Sequence, residues 1–250
     1  MRILFTICGR AGSKGIKNKN IRDFLGKPLP LYTLAAIDLY MSRNQKVDVD
    51  VVVNTDSKEL IQIVKDNSIR AVDTIVREAS LGGDTVAKTA VILDCLKQME
   101  DRKQCKYDIV VDLDLTSPLR TVEDIENLIN KKIETSCDVA FSVTDSRRNP
   151  YFNMVKKTDK GYVRVLESNF VTRQEAPEIF DMNASMYAYE PEYLKSGKGV
   201  LDGYCEIIKM YDTGILDLDH ENDFELMEVI ANYLFEKNDK FARIKKHIAD

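Results

Sequence analysis

The sequence is poor in histidine, with two in 250 residues, too few for a histidine-rich metal site. His247 falls in a charged C-terminal stretch and is expected to be mobile. The five cysteines, Cys8, Cys95, Cys105, Cys137 and Cys205, are odd in number, scattered and without a C-x-x-C pair, which fits reduced thiols in the cytoplasm. No apolar run approaches the roughly 20 residues that span a bilayer. The run Ile3–Ile7 is too short for a signal-peptide core and leads directly into Cys8, Gly9 and Arg10, so neither a membrane span nor secretion is expected. An excess of positive charge is also missing: 36 basic against 41 acidic residues leave a net charge of −5, which argues against a general nucleic-acid or membrane-surface binder. There is no internal repeat, low-complexity tract or linker.

What is present is a chain with 44% hydrophobic residues, enough to bury a substantial core in one domain over 1–250. The β-branched runs Ile3–Ile7, Val49–Val53, Ile109–Leu113 and Val139–Val143 lack strict alternation and read as buried strands, neighbours in a parallel sheet. Between them, Leu31–Met41, Ser57–Asn67, Val86–Met99 and Val122–Ile133 carry helical periodicity, with Ser57 and Thr121 as N-caps. This alternation predicts an α/β fold, an open, mostly parallel sheet sandwiched by helices, with ligands at the carboxyl ends of the strands. From about 147 to 211 the rhythm changes. The turn signal Asp159-Lys160-Gly161 marks a hairpin inside an insertion, and a last helix is expected from Asp223 to Phe235.

Local charge is uneven. Residues 1–28 hold Arg2, Arg10, Lys14, Lys17, Lys19, Arg22 and Lys27 against the acid Asp23. Within them, Cys8-Gly9-Arg10-Ala11-Gly12-Ser13-Lys14-Gly15 follows the first strand and leads to Lys19-Asn20. Glycines let the backbone wrap an anion with its N–H groups while Lys and Arg neutralise phosphate charge. The spacing is neither a Walker A loop nor a dinucleotide fingerprint. A basic structural turn is the competing reading. Two further carboxylate pairs stand out. Asp217 and Asp219, one residue apart on an expected strand, leave it on the same side and suit Mg²⁺, although a helix cap and a solvated neighbour explain them as well. Asp112 and Asp114, in Asp112-Leu113-Asp114-Leu115-Thr116-Ser117-Pro118-Leu119-Arg120, end a central strand and face the crevice; there Thr116 and Ser117 also read as turn chemistry, and Arg120 as a partner of Glu123 or Asp124.

Together these segments resemble the acylneuraminate cytidylyltransferase family, the CMP-nonulosonate synthetases. The family's A-R-x-G-S-K-G and K-N are matched by Gly9–Gly15 and Lys19-Asn20, with Gly9 for the usual alanine. Its Q-P-T-S-P-L-R appears as Asp114–Arg120, its S-T-D as Asn54-Thr55-Asp56, and its R-x-x-x-L-x-x-D-T as Arg77 to Asp84-Thr85. Arg173-Gln174 and Asp181–Tyr187 resemble its R-Q and N-G-A-I-Y. The members acting on legionaminic acid share the patterns of Asp112–Arg120, Arg147–Asn153 and Asp181–Ser185, whereas Asp114 in place of glutamine sets the chain apart from the sialic acid pattern.

The resemblance implies a nucleotide-diphospho-sugar transferase-like fold and transfer of CMP from CTP to the anomeric hydroxyl of a nonulosonic acid, N,N'-diacetyllegionaminic acid before sialic or pseudaminic acid. It implies that Arg10, Gly12, Ser13, Lys14, Lys19 and Asn20 bind the CTP phosphates, that Arg77 and the segment from Asp84 to Lys88 border the cytidine, and that Asp217 and Asp219 hold Mg²⁺. Asp114, Arg173, Gln174, Asn183 and Tyr187 would meet the sugar. Arg10, Lys14, Lys19, Asp217 and Asp219 would carry catalysis. A homodimer in the cytoplasm is expected, with the subregion at 147–211 serving dimerisation or sugar binding. The aromatic cluster around Tyr187, Tyr189 and Tyr193 reads first as core or interface. Two other classes compete: a D-x-D sugar transferase using Asp112 and Asp114, and an inert nucleotide-binding module. The sequence identifies no general base.

Overall fold

In the computed structural model, residues 1–12, 15–83, 85–170, 172–213, 218 and 220–249 are described, apart from the side chains of Arg173 and Ala249. Ser13, Lys14, Asp84, Asp217, Asp219 and the Arg173 side chain, all expected at the site, lie outside them.

The strands are β1 (Arg2–Cys8), β2 (Asp23–Phe24), β3 (Lys27–Pro28), β4 (Asp48–Thr55), β5 (Asp73–Val76), β6 (Ile109–Leu113), β7 (Val139–Asp145), β8 (Val155–Thr158), β9 (Gly161–Arg164), β10 (Phe180–Tyr189) and β11 (Cys205–Lys209). The helices are α1 (Leu29–Arg43), α2 (Lys58–Asp66), α3 (Lys88–Lys103), α4 (Val122–Thr135), α5 (Pro191–Lys195), α6 (Glu221–Lys237) and α7 (Asp239–Ala249). Seven strands form the central sheet in the order β11-β7-β10-β6-β1-β4-β5. All pairings are parallel except those of β10, which runs antiparallel to β6 and β7. The four strands expected as parallel neighbours are therefore in one sheet, but β10 separates β7 from β6.

The sheet is covered on both faces, which is why its central strands show no polar alternation. On β1, Ile3, Phe5 and Ile7 enter the core beside α1, α4, α6 and α7, while Leu4 enters the opposite core with Ile92, Cys95, Leu96 and Met99 of α3. The period of two thus assigns each side chain its layer. The expected caps are in place: Ser57 Oγ accepts from Leu60 N–H at 3.2 Å, and Thr121 forms a reciprocal capping box with Asp124.

Three expectations are corrected. The stretch from 147 to 211, expected as a hairpin-bearing insertion, has the hairpin but also supplies strands to the central sheet. Its hairpin β8-β9 lies outside the central sheet, but β10 and β11 are strands of that sheet. The C-terminal stretch is helical rather than mobile: Phe241, Ile244 and Ile248 at one face of α7 are buried, and His247 Nε2 lies 2.9 Å from Asp38 Oδ2 on α1. Arg120 is buried and bonds carbonyl and hydroxyl oxygens rather than Glu123 or Asp124. Its Nη2 donates to the Asp114 and Ser185 carbonyls and its Nη1 to Thr33 Oγ1, while Glu123 pairs with Arg43 and Asp124 caps α4. Among the described residues, no helix is long and apolar enough to cross a membrane.

Candidate active site

The carboxyl ends of β1, β5 and β6 open on a cleft of 370 Å³ whose lining includes Arg10, Lys19, Asn20, Arg77, Lys88 and Asp114. Five residues expected to bind nucleotide and one expected to meet the sugar therefore share one cavity. The loop after β1 is fitted closely against its surroundings. A Cβ on Gly9 would stand 2.6 Å from Leu115 Cδ1 and 2.9 Å from Leu60 Cδ2, so a larger residue there would require those side-chain ends to shift. Gly12 takes a φ of 71°, in the left-handed region that glycine enters without steric cost. Side chains brace the loop from outside: Asp56 Oδ1 accepts from Ala11 N–H at 2.6 Å, and Asn20 Nδ2 donates to the Arg10 carbonyl at 2.9 Å.

Arg77, at the end of β5, is nearly buried and directs its guanidinium at Asn54, with Nε donating to Oδ1 at 2.8 Å and Nη2 to the carbonyl at 3.0 Å. It ties the ends of β4 and β5 together along the cleft wall. Opposite, Lys88 Nζ sits 2.8 Å from Asp112 Oδ2 and 2.7 Å from Asp114 Oδ2. The remaining carboxylate oxygens are also held. Asp112 Oδ1 accepts from Thr6 Oγ1 at 2.8 Å, and Asp114 Oδ1 accepts from Thr116 N–H at 2.8 Å and Thr116 Oγ1 at 2.7 Å. Burial would raise the Asp114 pKa, but the Lys88 ammonium and the Thr116 donors outweigh it and hold the carboxyl well below the usual range. Burial likewise works against the charge on Lys88, and the two carboxylates more than offset it. Arg120, pulled down to about 10 by burial, remains charged at neutral pH.

Of the other residues expected at the sugar, Gln174, Asn183 and Tyr187 are not gathered in this cleft. Asn183 is buried, accepting from Ser142 Oγ at 2.6 Å, and borders a small hollow with Ser117, Thr144 and Met210. Gln174 lines a separate hollow of 300 Å³ with Arg148 and Phe180. Tyr187 stacks on Tyr189 with ring centroids 6.0 Å apart, in the aromatic layer where Tyr189 and Tyr193 are buried core. Arg147 pairs with Asp212 at 2.9 Å. Sequence reasoning missed Cys8 as a side chain lining the cleft, Thr6 as the buried partner of Asp112, and Asp56 as a loop brace; the alternation in β1 that carries Leu4 to the α3 face also carries Thr6 and Cys8 there and was the available signal.

The sequence pattern that defines the cytidylyltransferases matches residues 4–237. The chain belongs to the cytidylyltransferase family. It is 34% identical over 236 residues to the post-translational flagellin modification protein B of Campylobacter coli, covering 94% of this chain and 96% of that one. It is also 34% identical over 230 residues to the CMP-N,N'-diacetyllegionaminic acid synthase of Campylobacter jejuni, covering 92% and 95%. With these relatives the cytidylyltransferase sorts among the CMP-nonulosonate synthetases, and it is a nucleotidyltransferase. Its fold is shared with CMP:2-keto-3-deoxy-manno-octonic acid synthetase solved with CTP, at a TM-score of 0.67 and 16% identity, covering 93% of this chain and 99% of that one. At that identity the likeness speaks to the fold alone.

Proposed function

We propose that the protein transfers CMP from CTP to the anomeric hydroxyl of an acidic nine-carbon sugar, with N,N'-diacetyllegionaminic acid as the favoured acceptor, releasing pyrophosphate in the cytoplasm and acting as a homodimer. The observation that carries the reading is the meeting, in one cleft at the strand ends, of the glycine loop with Arg10 and Lys19 on one side and the ionised Asp114 on the other. Attack of the sugar hydroxyl on the α-phosphorus requires in-line placement and relief of charge on the departing pyrophosphate. Arg10 and Lys19, with Lys14 of the same loop, supply positive charge for that end. Asp114, with three of its roughly four acceptor directions taken by Lys88 and Thr116, has one left for a donor on the sugar, such as an acetamido N–H. The 34% identical legionaminic acid synthase supports the acceptor.

A carboxylate pair of hard oxygen donors fits Mg²⁺, and the candidate pair is Asp217 and Asp219. The other pair is closed to a cation, because the Lys88 ammonium already lies against both Asp112 and Asp114. That occupancy also counts against a D-x-D sugar transferase. Bound by Asp217 and Asp219, Mg²⁺ would offset phosphate charge.

The test is incubation of the protein with Mg²⁺, CTP and, separately, legionaminic, pseudaminic and sialic acids while pyrophosphate release is followed. Fastest release with legionaminic acid is expected. Release with none of the acids would overturn the reaction, and a preference for sialic acid would overturn the acceptor.

A further inference from the structure

Lys88 is the first residue of α3, a helix with no acidic residue in its first turn and no side-chain cap. A cation at that position opposes the helix dipole, so helix stability does not account for it. Its ammonium instead reaches β6, where Asp112 is fully buried between Thr6 and Tyr187 in the strand register. An ionised carboxylate with no exposure requires a partner charge and filled hydrogen bonds. Lys88 provides the charge against Oδ2 and Thr6 the hydrogen bond to Oδ1. Asp114, two residues along on the same face, stands at the cleft with its side chain 24% exposed and shares the same ammonium.

We propose that Lys88 is a positioning residue: clamped between Asp112 and Asp114, its ammonium sets the charge and orientation of the Asp114 carboxylate toward the acceptor and contributes through that carboxylate rather than by binding the nucleotide. The acceptor half of this inference rests on the reaction proposed above. Turning the Asp114 carboxylate would break contacts to Lys88, Thr116 N–H and Thr116 Oγ1 together. The other polar groups facing the cluster do not replace the lysine. Arg120 of the β6–α4 connection meets the Asp114 carbonyl, not its carboxylate. Cys8 on β1 is pushed up by its contact with Cys95 and by burial, and Tyr189 on β10 is pushed up by burial, so both stay neutral. With its ammonium held against two carboxylates, Lys88 has no excess charge to offer a phosphate, and the remaining acceptor of Asp114 suits a hydrogen-bond donor.

The experiment compares the full chain with Lys88→Met, Lys88→Arg, Asp114→Asn and Lys88→Met/Asp114→Asn. Because Lys88→Met leaves two carboxylates facing each other, Lys88→Met/Asp112→Asn, which loses one charge of each sign, is measured beside it, with the fold of each variant checked by circular dichroism. The carboxyl of Asp114, assigned by its disappearance in Asp114→Asn, is titrated by ¹³C NMR. Its pKa should rise by at least about one unit when Lys88 becomes Met, since burial then acts without its main opponent. Acceptor kcat/KM should fall about tenfold or more, CTP affinity by calorimetry should change less than about threefold, and Lys88→Arg should recover part of the loss because a guanidinium also bridges carboxylates. An unmoved Asp114 titration overturns the positioning role. So does a CTP affinity that falls as far as acceptor kcat/KM, or an undiminished effect of Lys88→Met in the Asp114→Asn background. A wild-type protein that releases no pyrophosphate with any acid defeats the reaction instead, and the Asp114 titration still decides what Lys88 does.

Discussion

At the β1 end of the cleft the chain is shaped by main-chain hydrogen bonds: Ala11 N–H to Asp56, Asn20 to the Arg10 carbonyl, and Gly9 pressed against Leu60 and Leu115. At the β6 end it is shaped by side-chain charge, with Lys88, Asp112, Asp114 and Thr116 satisfying one another. Both ends are rich in ionisable residues, yet the same residue types do different work. Lys19 lines the open cleft, whereas Lys88 of α3 lies against the carboxylates of Asp112 and Asp114. The difference teaches that a charged residue beside a cleft is read by what it already touches, because a compensated charge builds the frame that a ligand then meets.

The largest effect should come from outside both ends. Asp219→Asn removes one carboxylate from the proposed Mg²⁺ pair and should lower turnover by about a hundredfold or more with an unchanged melting temperature. Near-normal turnover at limiting Mg²⁺ would remove the metal from Asp219. Next, Lys19→Ala tests the loop end. A charge-assisted contact to phosphate is worth about 1.5–3 kcal/mol, so kcat/KM for CTP should fall about 10- to 100-fold while thermal stability holds. A variant that melts much earlier with normal kinetics would erase the contrast between the two ends.

The β6 end should instead reveal itself in acid. Asp114 titrates below its ordinary value in the folded chain, so its contribution to stability is complete above the unfolded-state pKa of about 3.9 and is lost as pH falls toward the folded value. Asp114→Asn should therefore be less stable than the wild type by about 1–3 kcal/mol at neutral pH, with the gap closing below about pH 4. Chemical denaturation at pH 7 and pH 3 measures it. A gap that is equal at both values would show that the Asp114 charge does not stabilise the fold.

Much of this frame was legible in sequence, and its exceptions have physical causes. The runs Ile3–Ile7, Val49–Val53, Ile109–Leu113 and Val139–Val143 announced buried strands because a sheet covered on both faces needs apolar side chains at every position. Ser57 and Thr121 announced helix starts, since capping is local chemistry. Strand β10 was hidden by its bulge between Met182 and Tyr187, where Ala184 takes a φ of 50° and the period of two is interrupted. Helix α7 was hidden because Phe241, Ile244 and Ile248 stand among charges that resemble a solvated tail. At the site, Arg10, Lys19 and Asn20 were marked by their spacing near the glycines. The partners of Lys88 were not, because its two carboxylates follow 24 and 26 residues later on another element and nothing local records the contact.

The finest distinction between the two ends concerns Asp56. It is exposed, and its bond to Ala11 N–H braces the loop from the β4–α2 connection, so removing it takes away order rather than positive charge at the phosphates. An exposed hydrogen bond contributes little to folding, because water replaces the lost acceptor. Asp56→Ala should then shift Tm by no more than about 2–4 °C, the equivalent of roughly 1 kcal/mol in a chain of this size. The loop's added freedom must be given up when nucleotide binds, so KM for CTP should rise about three- to tenfold with kcat nearly preserved. Asp56→Asn keeps a side-chain oxygen able to accept from Ala11 N–H and should recover most of that loss. If alanine and asparagine are equally impaired, the carboxylate charge matters and the loop end, like the β6 end, is organised by electrostatics.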